Sequence, residues 1–168
     1  MEFRVLEMMP RFHLQKKERE IKDFNEILSI IKKGKYTTIA MCRNNEPYIV
    51  TLSYGYDEIN NAFYYHSRMK GLKSEFIKDN PNVCATIIED RGYIMSDCAH
   101  EFRSVIVWGR MCFVETLDEK KHGMDILLKH LEENPEKIKQ ESLSDDRIYK
   151  HLVILRLDVN EINGKWGR

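Results

Sequence analysis

The chain has 168 residues, a length within the range of one domain, and its apolar fraction of 42% is enough for a buried core. Its 27 basic and 27 acidic side chains balance, which argues against a nucleic-acid partner. No apolar run approaches the roughly 20 residues of a membrane span, and the charged first residues are unlike a signal peptide. We therefore expect a cytoplasmic protein with one domain over residues 1–168, no membrane partner and four free cysteine thiols. The sequence leaves open whether residues 1–16 form an extended N-terminal arm.

The first predicted element is a helix over residues 17–33, which ends at Gly34. Its apolar residues recur at steps of three and four, with lysine and glutamate between them, so that they form one stripe on the helix surface. The stripe consists of Ile21, Phe24, Leu28 and Ile31.

Three strands are predicted next, over residues 36–43, 48–56 and 62–66, and turn-forming residues join them. In the second strand, bulky side chains alternate with small or polar ones, which is the period of a strand with two unlike faces. The bulky face carries Tyr48, Val50, Leu52, Tyr54 and Tyr56, and the other face carries Thr51, Ser53 and Gly55. We expect the three strands to form a continuous antiparallel meander.

A short helix is predicted over residues 71–79, because the proline at position 81 disfavours helix just before it. Strands follow over residues 83–89 and 102–115. Residues 105–108 are apolar on both faces of the second of these strands. That pattern is typical of a barrel strand covered on its outer side by another layer or a second subunit.

The last third of the chain is predicted to be mostly helical. Thr116 and Glu119 have the spacing of a capping box, and the helix that they open has Met124, Leu127, Leu128 and Leu131 on its inner face. Asn134 and Pro135 begin a shorter helix, and residues 151–159 form the last strand. The elements add up to about six strands with helices, a mainly β protein.

The segment over residues 65–73 carries the clearest signal of a binding site. A strand ends at His66, the chain turns, and a helix begins near Gly71 and Lys73. Free backbone N–H groups at a helix start attract anions, glycine permits close approach of the backbone, and lysine supplies a charge. The pattern predicts a phosphate seat, and the competing interpretation is a basic surface turn that solubilises the helix.

Three other features are weaker candidates for chemistry. His66 is either a hydrogen-bond donor or acid beside the turn or a structural histidine. Cys98 and His100 resemble metal ligands, but the chain has no second ligand pair, so we expect no metal site. Trp166, near the end of the chain, is either part of a disordered tail or an aromatic lid.

The order and spacing of these motifs resemble the nitroimidazole-resistance branch of the pyridoxamine 5′-phosphate oxidase-like flavoproteins, over most of the chain from about residue 17 to residue 164. The matching segments are residues 18–21, 46–56, 63–67, 71–73, 80–84, 102–110 and 161–165. The chain departs from true pyridoxamine 5′-phosphate oxidases, which have basic residues where this chain has Tyr48 and Ser53. It also lacks their C-terminal Arg/His substrate motif. We therefore do not expect it to oxidise vitamin B6 phosphates.

The resemblance implies a six-stranded antiparallel split β-barrel that forms a homodimer with two flavin mononucleotides (FMN) in the interface grooves. It implies that the isoalloxazine ring contacts the second strand largely through backbone groups, and that the turn holds the ribityl chain and phosphate. The implied ring contacts are Val50, Thr51 and Leu52, and those of the ribityl phosphate are His66, Ser67, Gly71 and Lys73. Ser104 corresponds to a position near the polar edge of the ring, and a partner subunit closes the site.

Three functions follow as hypotheses. The first is an FMN-dependent oxidoreductase that reduces a small planar acceptor such as a nitroaromatic, with His66 supplying a proton. The second is a non-catalytic module that binds or stores flavin, haem or a deazaflavin. The third is an interaction protein whose apolar face, around residues 105–108, mediates dimerisation.

Overall fold

The structure, a computed structural model, describes residues 14–168; residues 1–13, most of the proposed N-terminal arm, lie outside the described part. A short 3-10 turn, Lys17–Arg19, comes first. The strands are β1 (Glu20–Ile21), β2 (Tyr36–Arg43), β3 (Glu46–Ser53), β4 (Gly55–Asp57), β5 (Ala62–Ser67), β6 (Asn82–Ile94), β7 (Ala99–Phe113) and β8 (Val153–Gly167). The helices are α1 (Phe24–Lys33), α2 (Leu72–Asp79), α3 (Leu117–Leu131), α4 (Pro135–Ser142) and α5 (Asp146–His151).

The strands form one antiparallel sheet in the order β3-β2-β6-β7-β8-β5-β4, and β1 pairs with the far end of β8. The two ends of the sheet come together, since β3, the first strand in this order, lies close to β5 near the other end. The sheet therefore curls around an apolar interior that contains Tyr54, Phe63 and Tyr65, with α1 and α2 packed against it. A second apolar cluster lies between α3, α5 and the outer side of β5 and β8. The prediction of a mainly β antiparallel fold with helices is confirmed.

The sheet has eight strands in the described residues rather than the six that were predicted. The prediction missed β1, and it merged β4 with β3 into one strand. The predicted single strand over residues 48–56 is wrong: it breaks at Tyr54 into β3, which pairs with β2, and β4, which pairs with β5. Tyr54 is fully buried, and its hydroxyl donates a hydrogen bond to the carbonyl oxygen of Ile31 at 2.6 Å. At Tyr54, which is fixed to α1, the chain passes from β3 at one end of the strand order to β4 at the other end. The predicted meander is therefore not continuous.

The predicted helix over residues 17–33 is too long. Asp23 caps α1 by accepting a hydrogen bond from the backbone N–H of Asn25, and β1 pairs with β8 before the helix begins. Ile21 is buried through β1 rather than through the helix, and Phe24 is 46% exposed. The buried face of α1 instead consists of Ile27, Leu28, Ile30 and Ile31.

The later elements agree better with the sequence. The bounds of α2 match the predicted residues 71–79 to within one residue, and Thr116 and Asn134 cap α3 and α4 as expected. Helix α5 was not predicted. The last strand begins at Val153 and continues to Gly167, far beyond the predicted residue 159, because its second half pairs with the start of β7. Trp166 consequently lies in a strand, opposite Arg103, and not in a disordered tail.

Candidate functional site

The predicted phosphate seat, called the anion seat below, is the turn of residues 68–71 between β5 and α2. β5 ends at Ser67, Gly71 precedes α2 with a φ of +124°, and within the described part of the chain no side chain caps the start of this helix. The Ser67 hydroxyl donates to the carbonyl oxygen of Arg68 at 3.2 Å, so the turn is held by its own residues. The positive φ suits glycine, and a Cβ at this position would also enter open space. The N–H groups of Ser74 and Glu75 donate to the carbonyl oxygen of Gly71, so the N–H groups of Leu72 and Lys73, at the very start of α2, are those that could bind an anion.

Three cations surround this turn, Arg68, Lys70 and Lys73. None of them forms an ion pair with any residue between 14 and 168. Arg68 and Lys70 are exposed, whereas Lys73 is half-buried, and burial lowers the pKa of its ammonium group. A partly desolvated cation without a counter-charge is an unfavourable arrangement that a bound anion would relieve.

His66 lies at the end of β5, on the exposed side of the strand, and pairs in register with Ile154 of β8. Its predecessor Tyr65 is fully buried, as the alternation of a strand requires. The histidine is therefore presented to solvent next to the anion seat and is not a core residue.

Strand β3 forms an exposed edge beside this turn. The two-residue turn at Asn44 and Asn45, both with positive φ, is of the type that closes a tight hairpin. Antiparallel alternation from that turn directs the backbone groups of residues 48, 50 and 52 toward β2 and those of residues 49, 51 and 53 toward the free edge. The side chains of Val50 and Leu52 pack against the barrel interior, while that of Thr51 is exposed. Among the three predicted ring contacts, Thr51 alone offers both its side chain and its edge-facing backbone groups.

The sequence did not single out Thr38, although the structure places it beside Thr51. Their hydroxyl oxygens are 3.1 Å apart across the β2–β3 pair. Period-two alternation along β2 does place Thr38 on the outer face, between inward-facing Thr37 and Ile39. The sequence therefore indicated that the side chain of Thr38 points outward, but not that it contacts Thr51.

Ser104 lies on the same outer face, on β7, and is 6% exposed. β2 and β6 lie between β3 and β7, so Ser104 is about 14 Å from β3 at the usual strand spacing of about 4.8 Å. Within one chain, the β5–α2 turn and the β3 edge are neighbours, whereas Ser104 lies at a distance from both.

Large apolar side chains are exposed on this outer face. Tyr36, Ile49 and Ile88 are 64%, 63% and 62% exposed, and Ile106 and Trp108 of β7 are half-buried on the same side. Scattered apolar residues are ordinary on a protein surface, but a contiguous group of this kind marks an interaction site. The feature matches the prediction that residues 105–108 belong to a strand with two apolar faces.

Cys98 and His100, the weaker candidates for metal ligands, are not part of a metal-binding cluster in the described residues. His100 contacts Asp90 at 2.7 Å, Cys98 is an exposed free thiol with a positive φ, and the other three cysteines are unpaired as well. In residues 14–168 no three His, Cys, Asp or Glu side chains are arranged to hold a metal ion. No helix of the same residues is long and apolar enough to cross a bilayer.

Comparison with known proteins identifies the fold. A candidate 5-nitroimidazole antibiotic resistance protein from Bacteroides thetaiotaomicron is 27% identical to this chain, covers 88% of it and 87% of its own length, and superposes with a TM-score of 0.73. Two other solved structures share the fold. An FAD-binding protein from Mesorhizobium loti is 20% identical, with coverage of 88% of this chain and 96% of its own and a TM-score of 0.62. A flavocytochrome from Azotobacter vinelandii is 15% identical, with coverage of 94% of this chain and 73% of its own and a TM-score of 0.78.

Sequence comparison leads to the same family. An uncharacterized protein from Rhizobium meliloti is 31% identical over 85 residues, which is 51% of this chain, and the match spans half of that protein's length. The family model described as pyridoxamine 5′-phosphate oxidase matches residues 23–166. This match confirms the resemblance inferred from the sequence motifs. The chain belongs to the pyridoxamine 5′-phosphate oxidase-like split-barrel family.

Proposed function

We propose that the protein is a homodimeric flavoprotein that binds FMN and reduces small planar acceptors such as nitroaromatic compounds. The observation that carries the proposal is the β5–α2 turn, where, among the described residues, a helix start without a side-chain cap and a half-buried Lys73 without an ion pair lie close to the exposed edge of β3. The family provides the flavin context, since a similar chain is described as a candidate nitroimidazole-resistance protein and others as flavin-binding.

The residues of the turn fit a phosphate group. The N–H groups at the start of α2 would donate hydrogen bonds to phosphate oxygens, and Lys73 would supply the charge. Lys73 is preferred over Lys70 because it is half-buried and Lys70 is exposed. Charge pairing is stronger where water is partly excluded. In this proposal Ser67 and Gly71 shape the turn so that a phosphate can approach the backbone.

The edge of β3 fits the polar rim of a flavin ring. The edge-facing backbone groups of Thr51, its hydroxyl and that of Thr38 provide donors and acceptors within one small area. Val50 and Leu52 would then act by holding the strand against the barrel interior rather than by contacting the ring with their side chains.

A bound flavin supplies the redox chemistry, and the protein supplies position and protons. His66 is exposed beside the anion seat, where it can hold a proton close to an acceptor that stacks on the open side of the site. Ser104, far from the turn within its own chain, would complete the site only if a second subunit contributes it. The apolar group of exposed Tyr36, Ile49 and Ile88 with half-buried Trp108 is the surface on which that subunit would pack.

The absorption spectrum of the freshly purified protein tests the cofactor. We expect flavin absorption bands in the blue region, and FMN rather than FAD on chromatography of the released cofactor. A colourless protein that remains so after incubation with FMN contradicts the proposal, and a Soret band would point to haem instead. Steady reduction of a nitroimidazole by the flavin-loaded protein with a chemical reductant then separates an enzyme from a storage module.

A further inference from the structure

A second pocket lies at the opposite end of the sheet from the β5–α2 turn. It has a volume of about 360 Å³ and is formed where the segment before β1 crosses the ends of β7 and β8. Its principal lining residues are Lys16, Arg19, Phe102, Lys165 and Trp166. The volume is at the lower end of the range for small-molecule sites, roughly 300–1,000 Å³, and suits one part of a cofactor-sized ligand.

The positive charges in this pocket are only partly compensated within the described residues. Lys16, Arg19 and Lys165 form no ion pair with a carboxylate in residues 14–168, although Glu20 is the register partner of Lys165. Arg19 donates a hydrogen bond to the carbonyl oxygen of Arg168 at 2.8 Å. Lys165 is half-buried, so its charge lies against the protein surface. Within the described residues, Lys16 and Lys165 of this pocket have no ion-pair partner, and in a chain with zero net charge such a local excess of positive charge favours an anionic ligand.

The aromatic residues of the pocket indicate that an anionic ligand bound there would also contain an aromatic group. Trp166 is 40% exposed, an unusual position for a large ring, and the Arg19 guanidinium lies 5.9 Å from its ring centre. The Lys165 ammonium lies 5.6 Å from the ring centre of Phe102. Each ring therefore has a cation beside it. A ligand with an aromatic base and a phosphate can stack on a ring and contact the neighbouring cations together.

Through Ser104, the pocket adjoins the flavin site that this chain would complete in a partner subunit. Lys165 and Ser104 are register partners on β8 and β7, so their side chains are neighbours on the outer face. Ser104 is the residue expected near the polar edge of the ring. A ligand that is anchored at Lys165 can therefore extend along the outer face toward Ser104.

We propose that this pocket binds the adenosine-phosphate end of a nicotinamide dinucleotide, the electron donor of the enzyme. The role as donor rests on the proposed flavin function, whereas nucleotide binding does not. With both groups bound, the reduced nicotinamide would give up a hydride and become oxidised, and the flavin would take up that hydride together with one proton from solvent.

Calorimetric titration of NADP⁺ onto the full chain, with and without FMN, tests the binding. We expect Arg19→Met and Lys165→Met each to weaken binding about tenfold, the usual size of a lost charge-assisted contact. Lys137→Met is the matched control, because Lys137 lies exposed on α4 and should leave binding unchanged. Trp166→Leu should weaken binding, while Trp166→Phe, which retains a ring, should keep most of it. A melting curve of each variant verifies folding.

Flavin reduction provides the second readout. NADPH should reduce the bound flavin, and the Arg19 and Lys165 variants should slow this step about tenfold below saturation while reduction by dithionite is unchanged. If NADP⁺ binds and the protein takes up no flavin, the pocket stands and the proposed oxidoreductase function fails. If the protein binds flavin but NADP⁺ does not bind, or binds equally to all variants, the nucleotide pocket is wrong and the flavin function is unaffected.

Discussion

Replacement of Lys73 by methionine is the most direct test of the anion seat. Methionine keeps an apolar chain of similar length and removes only the charge. A hydrogen bond between a charged pair contributes about 1.5–3 kcal/mol, which corresponds to a loss of FMN affinity of roughly 10- to 150-fold. The half-buried ammonium has no carboxylate partner in the described chain, and burial lowers its pKa. The variant without cofactor should therefore be as stable as the original chain, or more so.

The assay is titration of the flavin-free protein with FMN, followed by quenching of flavin fluorescence. Riboflavin, which lacks the phosphate, is the control ligand, and its affinity should be the same for Lys73→Met and the original chain. Lys70→Met is the control variant, because Lys70 lies in the same turn but is exposed, and we expect it to change FMN affinity by less than about threefold. Equal losses for FMN and riboflavin would refute the phosphate assignment, as would an effect confined to Lys70→Met.

Three further predictions concern stability and assembly. The hydrogen bond from Arg103 is the main reason that the pKa of Glu89 is lowered from 4.5 to about 2. Because the folded state favours the ionised carboxylate of Glu89, this interaction stabilises the fold fully above pH 4.5, and the stabilisation is lost as the pH falls toward 2. Arg103→Met should therefore cost about 2 kcal/mol in urea unfolding at pH 7 and much less at pH 2, and an equal cost at both pH values would contradict this. Gly109→Ala places a Cβ against a backbone carbonyl of β8, so we expect a loss of at least about 2 kcal/mol, and unchanged thermal unfolding would show that the sheet can adjust. Ile88→Asp should produce a monomer in sedimentation analysis, whereas Ile59→Asp, at a turn residue that is 94% exposed, should not; a dimer in both would place the interface elsewhere.

Local patterns were predictable where neighbouring residues in the chain decide the structure. The alternation in residues 48–53 predicted Val50 and Leu52 on one face of the strand and Thr51 on the other, and in the structure the first two pack against the interior while Thr51 is exposed. The caps at Thr116 and Asn134 are likewise local, because a side chain bonds to an N–H three residues away. The turn before α2 belongs to the same class.

Long-range contacts account for the errors. Alternation continues through Tyr54, so the pattern could not reveal that β3 and β4 lie at opposite ends of the sheet order. Tyr54, at the break, donates a hydrogen bond to the carbonyl oxygen of Ile31 in α1, a long-range contact that the alternation does not encode. Similarly, the buried face of α1 follows from where β1 attaches to β8, and propensity within the helix contains no information about that attachment.

The sequence by itself determined the family and the mainly β fold, and it located the turn before α2 where we predict an anion seat, because ordered motifs and local periodicity are properties of the chain alone. The tertiary structure decided which residues of the seat are half-buried, that Thr38 lies against Thr51, and that Ser104 lies far from the turn within one chain. It also brought Arg19, Lys165 and Trp166 into one pocket. These residues come from distant parts of the chain, and their proximity depends on strand order and register, which are set by packing of the whole barrel.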